Sequence, residues 1–463
     1  MRTLLRLRAA SILLFLAWLL PIGLPAEPLT VDQAVSSTLA NSGQLKIKLL
    51  DLTRTQAAVG EAQARLYPQV SFTGSSTYMT NPPKGITITQ GSLGYLPSPN
   101  SSFPQSFPAE DMVLVKNPEH TYFKGTGSLD QVLFTWGKVL KAIEVSQLSV
   151  EIAGSDVRAT KRDQAQAVRS AYFGSVLARE SSALLLRMET LSQQIAADRQ
   201  SGFEQGTMTR LDVLQAKSQA SQVASARVKA EEGLNSGLAA LEYFTGNKPQ
   251  ATDLVSAFRG LPELNEDDLM RQALETSPEL SKLGLQARQA LLGEQISRSS
   301  QLFLPDLALS FGMDTTGQKI PYVGGNWTDS WSTNFTFSLG MKVQLFDGFS
   351  SFHKLEEATA QRQMAEAGLV ELRKGLALQI RRALEAVRTQ DAEVKRLRDK
   401  LAAATEQNSS AQSAYENEAA TREEARGATA GQLQAELELL TARFQLESNL
   451  QDLDSLTGAA ATP

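Results

Sequence analysis

Short stretches in which every second residue is apolar alternate along this chain with much longer stretches of helical periodicity. The alternation is clearest in 307–313 and 335–345, where Phe, Leu, Met and Val alternate with small and polar residues. An apolar face opposite a polar face that carries Lys342 and Gln344 is typical of a strand between lipid and a wet lumen. A half-buried sheet of a soluble domain gives the same alternation, so the pattern alone leaves both possibilities open.

A weaker pair of strands is predicted earlier in the chain, in 70–78 and 122–134. Between them, the segment 80–120 contains seven prolines, and we expect it to be a long extracellular loop because such a loop is uncommon inside a compact domain. Gly125-Thr126-Gly127 lacks the third glycine of a phosphate-binding motif, and we interpret it as room for close packing.

The rest of the pattern predicts helices. No proline occurs between Pro118 and Pro249, and Lys138–Phe203 is expected to form one helix of about 66 residues, or about 100 Å. A glycine-containing break precedes a shorter helix over Thr209–Phe244, so the two helices form a projecting hairpin. Helices over 29–66 and 264–304, which each end at a proline, are predicted to precede the strands; Thr30 or Asp32 is the candidate cap of the first.

This order of elements occurs twice. Leu133-Phe134 recurs as Leu345-Phe346 and Thr245-Gly246 as Thr457-Gly458, in each case 212 positions later. That period is too long for a solenoid repeat, so it indicates a duplicated half. We predict a first repeat over 27–246 and a second over 247–463.

Residues 1–26 are predicted to be a secretory signal peptide, because Arg2, Arg6 and Arg8 precede an apolar stretch and Pro25-Ala26 offers a cleavage site. A permanent anchor helix is the alternative, but about 20 apolar residues are needed to span a bilayer and Pro21 interrupts this stretch. No later segment approaches that length, which leaves β-strands as the way for the chain to cross a membrane.

Composition excludes several classes of function. The formal net charge of the 463 residues is −5 without a basic region, so no nucleic-acid partner is predicted. The chain has no Cys and only His120 and His353, which argues against a transition-metal site. There is no P-loop, nucleophile elbow or paired acid, and we therefore predict no catalytic residue, no cofactor and no enzymatic activity.

The repeated layout behind a signal peptide resembles the TolC family of outer-membrane channel proteins. The resemblance implies an α+β membrane protein: a homotrimer whose four strands per chain form one twelve-stranded β-barrel in the outer membrane, continued by a long α-helical barrel through the periplasm. It also implies the role, an exit duct of a tripartite efflux or type I secretion system. The implied partners are a periplasmic adaptor (membrane fusion) protein, an inner-membrane pump and outer-membrane lipid.

The most specific stretch of this resemblance is 206–216, which looks like the family's helix turn at the periplasmic tip. It implies that an adaptor-facing tip contains Gly206, Thr209, Arg210, Asp212 and Leu214. Asp212 is a candidate for capping the returning helix or for pairing with Arg210 or with a neighbouring tip.

The equivalent second turn departs from the family's pattern. Glu418 stands at the position of Gly206 and Glu424 at that of Asp212, while Gly427 occupies a position that is acidic in well-known members. The resemblance implies a pore constriction here, formed by Tyr415, Arg422, Glu424, Arg426 and Gly427. We expect the two arginines to neutralise part of the charge of Glu424.

Two other interpretations remain open at this point. A secreted coiled-coil adhesin or surface scaffold would also have a signal peptide and long Ala-rich helices. An enzyme that uses Glu423 and Glu424 has almost no support from their spacing.

Overall fold

The computed structural model describes residues 29–96, 105–115, 119–256, 258–301, 304–318 and 331–458. The predicted signal peptide, 1–26, lies outside them. The chain divides into a helical unit (1–53, 150–287 and 364–463) and a sheet unit (54–149 and 288–363). Each unit takes segments from both predicted repeats, and the repeats as domains therefore stay a prediction.

The sheet unit is built from strands that pair in antiparallel fashion. In chain order they are β1 (Gln69–Tyr78), β2 (Ile86–Ile88), β3 (Tyr95–Leu96), β4 (Gln105–Ser106), β5 (Met112–Val115), β6 (Thr121–Phe134), β7 (Asp306–Gly317) and β8 (Trp331–Lys342). Four of them form one sheet in the order β1-β6-β7-β8, while β2 pairs with β5 and β3 with β4.

Two expectations about the strands were wrong in detail. The last strand ends at Lys342, so Gln344 and Leu345 lie beyond it, and the Gln344 side chain donates to the carbonyl of Phe346 at 3.3 Å. The segment 80–120 was expected to lack regular structure, yet it contains both short ladders. None of the strands β2 to β5 contains a proline, so their backbone N–H groups remain available for pairing.

The four longest helices reproduce the 212-residue offset. In chain order the helices are α1 (Val31–Asn41), α2 (Gly43–Ala64), α3 (Lys138–Glu204), α4 (Arg210–Thr245), α5 (Glu266–Thr276), α6 (Pro278–Ser300), α7 (Ser350–Glu416) and α8 (Arg422–Thr457). Both α3 and α7 have 67 residues, and both α4 and α8 have 36. Thr30 is the cap of α1, where its side chain accepts from Gln33 N. Among the described residues, no helix is both long and apolar enough to cross a bilayer.

The two helices predicted to precede the strands are each broken by one serine. Ser42 and Ser277 have extended backbone angles, with ψ of 113° and 117°. Pro278 disfavours a helical conformation at the residue before it, which explains the second break. Each serine hydroxyl then accepts from the N–H three residues on, Leu45 and Leu280, at 3.2 Å, so each break also caps the next helix.

The helical unit has an apolar core along α3, α7 and α8. One cluster surrounds Tyr172, whose hydroxyl donates to the carbonyl of Leu29 at 2.7 Å and accepts from Val255 N at 2.9 Å. Burial raises the pKa of Tyr172. A second cluster contains Leu446, Leu450 and Leu453, which share one face of α8. Full burial of each such side chain contributes about 1.5–3 kcal/mol, which stabilises the hairpin without disulfides.

Candidate functional site

One face of the four-stranded sheet is apolar and exposed. The register places Phe335 opposite Met313, Phe337 opposite Phe311 and Leu339 opposite Leu309. Phe337 is 72 % exposed and Leu339 67 %, although both belong to a continuous apolar surface. Contact between such an apolar surface and water is unfavourable, and it is removed when an apolar phase or a partner covers the surface.

Phe72 extends that face across β6. Its ring lies over Gly125 and Gly127, since a Cβ added at Gly125 would be 3.3 Å from Phe72 Cζ and 2.9 Å from Thr315 Cγ2. The interpretation of Gly125-Thr126-Gly127 as room for close packing is therefore confirmed.

The opposite face is polar and linked by side-chain hydrogen bonds between strands. Thr126 donates to Asp314 at 2.9 Å, and Ser310 donates to Asp130 at 2.6 Å. The register also places Asp306 opposite Lys342, as expected for a polar face that carries this lysine. Hydrogen-bonded carboxylates keep such a face wettable. Sequence reasoning missed Asp130 and Asp314, although their period-two spacing with Ser and Thr is the signal that identifies them.

The sheet has two free edges in the described part of the chain, because β1 pairs only with β6 and β8 only with β7. An open edge with exposed N–H and C=O groups is a template for another strand. Four strands do not close a barrel by themselves.

The turn between α3 and α4 is fixed by Gly206 and by a capping box. Gly206 has a left-handed backbone, with φ of +76°, and its N–H donates to the carbonyl of Phe203 at 3.0 Å. Thr209 caps α4: its hydroxyl accepts from Asp212 N at 3.2 Å, and the Asp212 carboxylate accepts from Thr209 N at 2.9 Å. Of the roles considered for Asp212, the structure shows capping.

The turn between α7 and α8 has the same backbone with different side chains. Glu418 has φ of +58° and donates from its N–H to the carbonyl of Tyr415 at 3.0 Å. Thr421 caps α8, and the Glu424 carboxylate accepts from Thr421 N at 2.8 Å and from its hydroxyl at 3.0 Å. Sequence reasoning missed this cap, although Thr followed three residues later by Glu is its signal.

Both capping carboxylates are held in the ionised form. The Thr209 hydroxyl and N–H lower the pKa of Asp212, and the N–H and hydroxyl of Thr421 lower the pKa of Glu424. The hydrogen bonds favour the charged form, and each negative charge also lies at the positive end of a helix dipole.

The two hairpins are joined near their turns by a pair of reciprocal ion pairs. On α3, the adjacent residues Asp198 and Arg199 contact Arg426 and Glu423 on α8, respectively. We call these four residues the tip clasp. Sequence reasoning missed Asp198 and Arg199, because charged residues on a long helix carry no distinguishing pattern.

Arg422 and Arg426 were expected to neutralise part of the charge of Glu424, but the structure pairs both with other groups. Arg426 contacts Asp198 instead, and Arg422 donates to the hydroxyl of Tyr415 at 3.0 Å, which raises the pKa of Arg422. The Glu424 carboxylate is occupied by its cap.

The other predicted tip residues are exposed. Arg210 and Leu214 lie on the first turn of α4, and Leu214 is 54 % exposed. Gly427 lies on α8, and a Cβ there would meet nothing within 4 Å. The structure therefore brings Tyr415, Arg422 and Arg426 into contacts at the second turn and leaves Gly427 outside them.

Comparison with known proteins gives a family match over most of the chain. A model of the outer membrane efflux protein family matches residues 34–247 and 269–459. Protein CyaE of Bordetella pertussis is 25 % identical over 258 residues, which are 54 % of this chain and 52 % of the relative. This chain thus spans about half the length of the curated relative that it matches.

Solved structures show the same fold. The outer membrane channel CmeC of Campylobacter jejuni has a TM-score of 0.70 at 16 % identity, over 93 % of this chain and 86 % of that chain. CusC, described in structures that concern transmembrane channel formation, has a TM-score of 0.70 at 17 % identity, over 92 % of this chain and 91 % of that chain. The mostly helical structure with one four-stranded sheet is therefore the fold of the TolC-like channels.

Proposed function

Because the chain belongs to the outer membrane efflux protein family, we propose that it is the outer-membrane exit duct of a tripartite efflux or type I secretion system. Three copies assemble, and their twelve strands close one barrel in the outer membrane. The helices continue this barrel through the periplasm. Substrates enter from an inner-membrane pump, which a periplasmic adaptor joins to the duct.

The observation that carries this proposal is the sheet with two free edges and two unlike faces. Pairing β1 of one copy with β8 of the next would satisfy both edges without any other partner. The exposed Phe337 and Leu339 would then face lipid, while Asp130 and Asp314 would line a wet lumen.

The lengths of the helices support the periplasmic part of the proposal. A helix of 67 residues is about 100 Å long at about 1.5 Å per residue. Exposed apolar residues along α2 and α7, such as Ile47, Leu50 and Met364, give these helices surfaces for neighbouring copies.

We propose that the first turn faces the adaptor. Gly206 allows the tight turn, Thr209 and Asp212 hold α4 in a fixed direction, and Arg210 and Leu214 are exposed for contact. A rigid turn that presents a cation beside exposed apolar side chains suits contact with a partner protein.

We propose that the second turn forms the constriction. Threefold symmetry would bring three copies of Tyr415, Arg422, Glu424, Arg426 and Gly427 together around the axis. The fixed carboxylate of Glu424 would then supply the negative charge of the pore.

Extraction and mass measurements test the assembly. Membranes should release the protein in detergent but not in urea or high salt, and the purified protein should have three times the mass of the chain. Release without detergent would favour the adhesin or scaffold alternative, for which the comparisons give no support.

Crosslinking tests the adaptor contact. A photoreactive residue at Leu214 should crosslink to the adaptor in cells that contain all three components. The matched control carries the same group at Val228, which is exposed on the same helix but far from the turn. Equal crosslinking at both positions, or none at Leu214, would contradict the placement of the adaptor at the first turn.

A further inference from the structure

A ribbon of paired strands connects the end of β1 to the start of β6. The chain enters β1 from α2 at Gln69, and it leaves β6 for α3 at Phe134. At the other end, after Tyr78 and before Thr121, the chain continues into the β2–β5 ladder and then the β3–β4 ladder. We call residues 86–96 and 105–115 the ribbon.

Hydrogen bonds hold the ribbon in a defined shape. Gln90 N donates to the Asp111 carboxylate at 2.7 Å, which fixes the segment between the two ladders. Phe107 N donates to the carbonyl of Gly94 at 2.7 Å, and Leu93 N donates to that of Phe107 at 3.1 Å. The ribbon therefore presents a fixed set of side chains.

Those side chains are largely apolar and exposed on both faces. The four residues of β5, Met112 to Val115, are 49–56 % exposed. Met112 pairs with Ile88, Val113 with Thr87 and, after a register shift, Val115 with Ile86. Because of this shift, Met112 and Val115 share the face of the two isoleucines, while Val113 points to the other face. A two-stranded ribbon with such faces is only marginally stable alone in water, so a partner should cover it.

The charge of the ribbon narrows the choice of partner. Its charged residues, Glu110 and Asp111, precede β5, and the Asp111 carboxylate accepts from Gln90 N. The face formed by Ile86, Ile88, Met112 and Val115 carries no charge, whereas lipid headgroups and charged protein surfaces are bound through complementary charge. Identical copies around an axis place like groups together, and a neutral apolar surface tolerates that without repulsion.

The ribbon is also long enough to reach copies across the barrel. Twelve strands about 4.8 Å apart and tilted by about 40° enclose a barrel about 24 Å across, so about 12 Å separates wall and axis. The four consecutive residues of β5 extend about 13 Å at about 3.3 Å each.

We propose that the ribbons of the three copies pack against one another over the outer mouth of the channel and narrow it. This inference rests on the proposed trimeric duct. It assigns a role to the proline-rich segment, which the sequence alone left without one.

Disulfide crosslinking tests contact between ribbons, because the natural chain has no cysteine. Single substitutions Met112→Cys and Val113→Cys sample the two faces. After oxidation of purified trimers, at least one variant should give a crosslinked pair of chains under denaturing conditions. The matched control is Thr333→Cys, an exposed position of β8 on the face that carries Phe335, and it should stay uncrosslinked.

Single-channel conductance tests the narrowing. Replacing Met112, Val113 and Val115 together by Ser should weaken packing of the ribbons and raise conductance by about twofold or more. A control with Thr87→Ser and Thr89→Ser keeps the apolar surface and should conduct like the natural protein.

The outcomes separate this inference from the function on which it rests. A trimer in which neither cysteine crosslinks and the Ser variant conducts normally would overturn the ribbon contact and leave the duct intact. A crosslink from Val113→Cys to a different polypeptide would also overturn it, in favour of a partner protein. A protein that is not trimeric would contradict the proposed function itself.

Discussion

Gly206 and Glu418 adopt the same left-handed backbone conformation at equivalent positions of the two hairpins, with φ of +76° and +58°. Each donates its N–H to the carbonyl of the residue three before it, Phe203 or Tyr415. Glycine adopts this conformation without steric cost, whereas a residue with a Cβ pays about 1 kcal/mol. The two turns share one backbone conformation, and the second turn is therefore the more strained.

Introducing a glycine at the second turn and replacing the glycine of the first turn should have opposite effects on the stability of the turns. Glu418→Gly is expected to stabilise the second turn by about 1 kcal/mol, and Gly206→Ala to destabilise the first by a similar amount. Hydrogen exchange of amides in 415–421 and 203–209 of the intact trimer measures both. Gly427→Ala is the control for a helical glycine with open space around it and should slow local exchange. Faster exchange around Glu418→Gly would contradict the strain.

Glu424→Gln should change the charge of the second turn and keep its shape. Gln at this position still accepts hydrogen bonds from Thr421, so the cap of α8 persists. We expect lower cation selectivity in planar bilayers and weaker block by multivalent cations added from the periplasmic side.

Glu438→Gln is the control for Glu424→Gln. It removes a charge from the same helix at a surface pair with Lys400, and the reversal potential should not change. If Glu424→Gln also left reversal potential and block unchanged, Glu424 would not belong to the constriction.

The two caps should make the turns sensitive to acid. Their hydrogen bonds lower the pKa values of Asp212 and Glu424 below those of the unfolded chain, about 3.9 and 4.3. The caps thus contribute their full stability above about pH 4.3 and lose it as pH falls through the lowered folded-state values.

Hydrogen exchange, corrected for the intrinsic effect of pH, measures this loss of the caps. Protection at the start of α8 should be constant from about pH 7 to 5 and should decline below about pH 4. In Thr421→Val, which lacks the hydroxyl of the capping box, protection should be lower at neutral pH and should change less with pH. Retained protection at low pH in the natural protein would contradict the assignment.

The sequence predicted the regular parts of this fold because each depended on a local pattern. The α3 helix was expected over Lys138–Phe203 and ends one residue later, at Glu204, because no Pro interrupts the pattern. The break at Ser277 was missed, although Pro278 carries the signal for it. The break at Ser42 has no comparable signal, since it depends on packing between distant segments, including the bond from Asn41 Nδ2 to the carbonyl of Thr245.

The candidate site likewise contains residues that a local pattern predicted and residues that no local pattern could predict. Gly206 and Asp212 were identified because a turn and a cap require particular residue types near each other in the chain. The tip clasp joins Asp198 to Arg426, which are 228 positions apart, and no local rule pairs two such charges. Long-range ion pairs become visible only when the fold brings their helices together.

A buried carboxylate on α8 should be important for stability. Glu447 has a side chain that is 1 % exposed and accepts from the N–H and Nε of Arg259, at 3.1 and 3.0 Å. Glu447→Ala leaves the arginine without this partner and is expected to cost about 3 kcal/mol. Arg259 lies between α4 and α5, so the pair fixes the segment that joins these two helices.

Thermal denaturation in detergent measures the effect of Glu447→Ala against a surface control. Glu438→Ala removes a half-exposed partner of Lys400 from the same helix and should cost less than about 1 kcal/mol. Glu447→Ala should therefore lower the Tm clearly more than Glu438→Ala. Equal shifts would show that Arg259 finds sufficient other partners.

Gly125 should tolerate no side chain while Phe72 and Thr315 lie against it. A Cβ would be 2.9 Å from Thr315 Cγ2 and 3.3 Å from the Phe72 ring, so Gly125→Val forces strands or side chains apart at a cost of about 1–3 kcal/mol. Gly312→Ala is the control, because the nearest atom to its Cβ is 3.8 Å away. The temperature at which trimers dissociate in SDS should fall for Gly125→Val and stay nearly constant for Gly312→Ala. Combining Gly125→Val with Thr315→Ser, which removes the closest methyl group, should restore part of the loss; no recovery would place the strain on Phe72 instead.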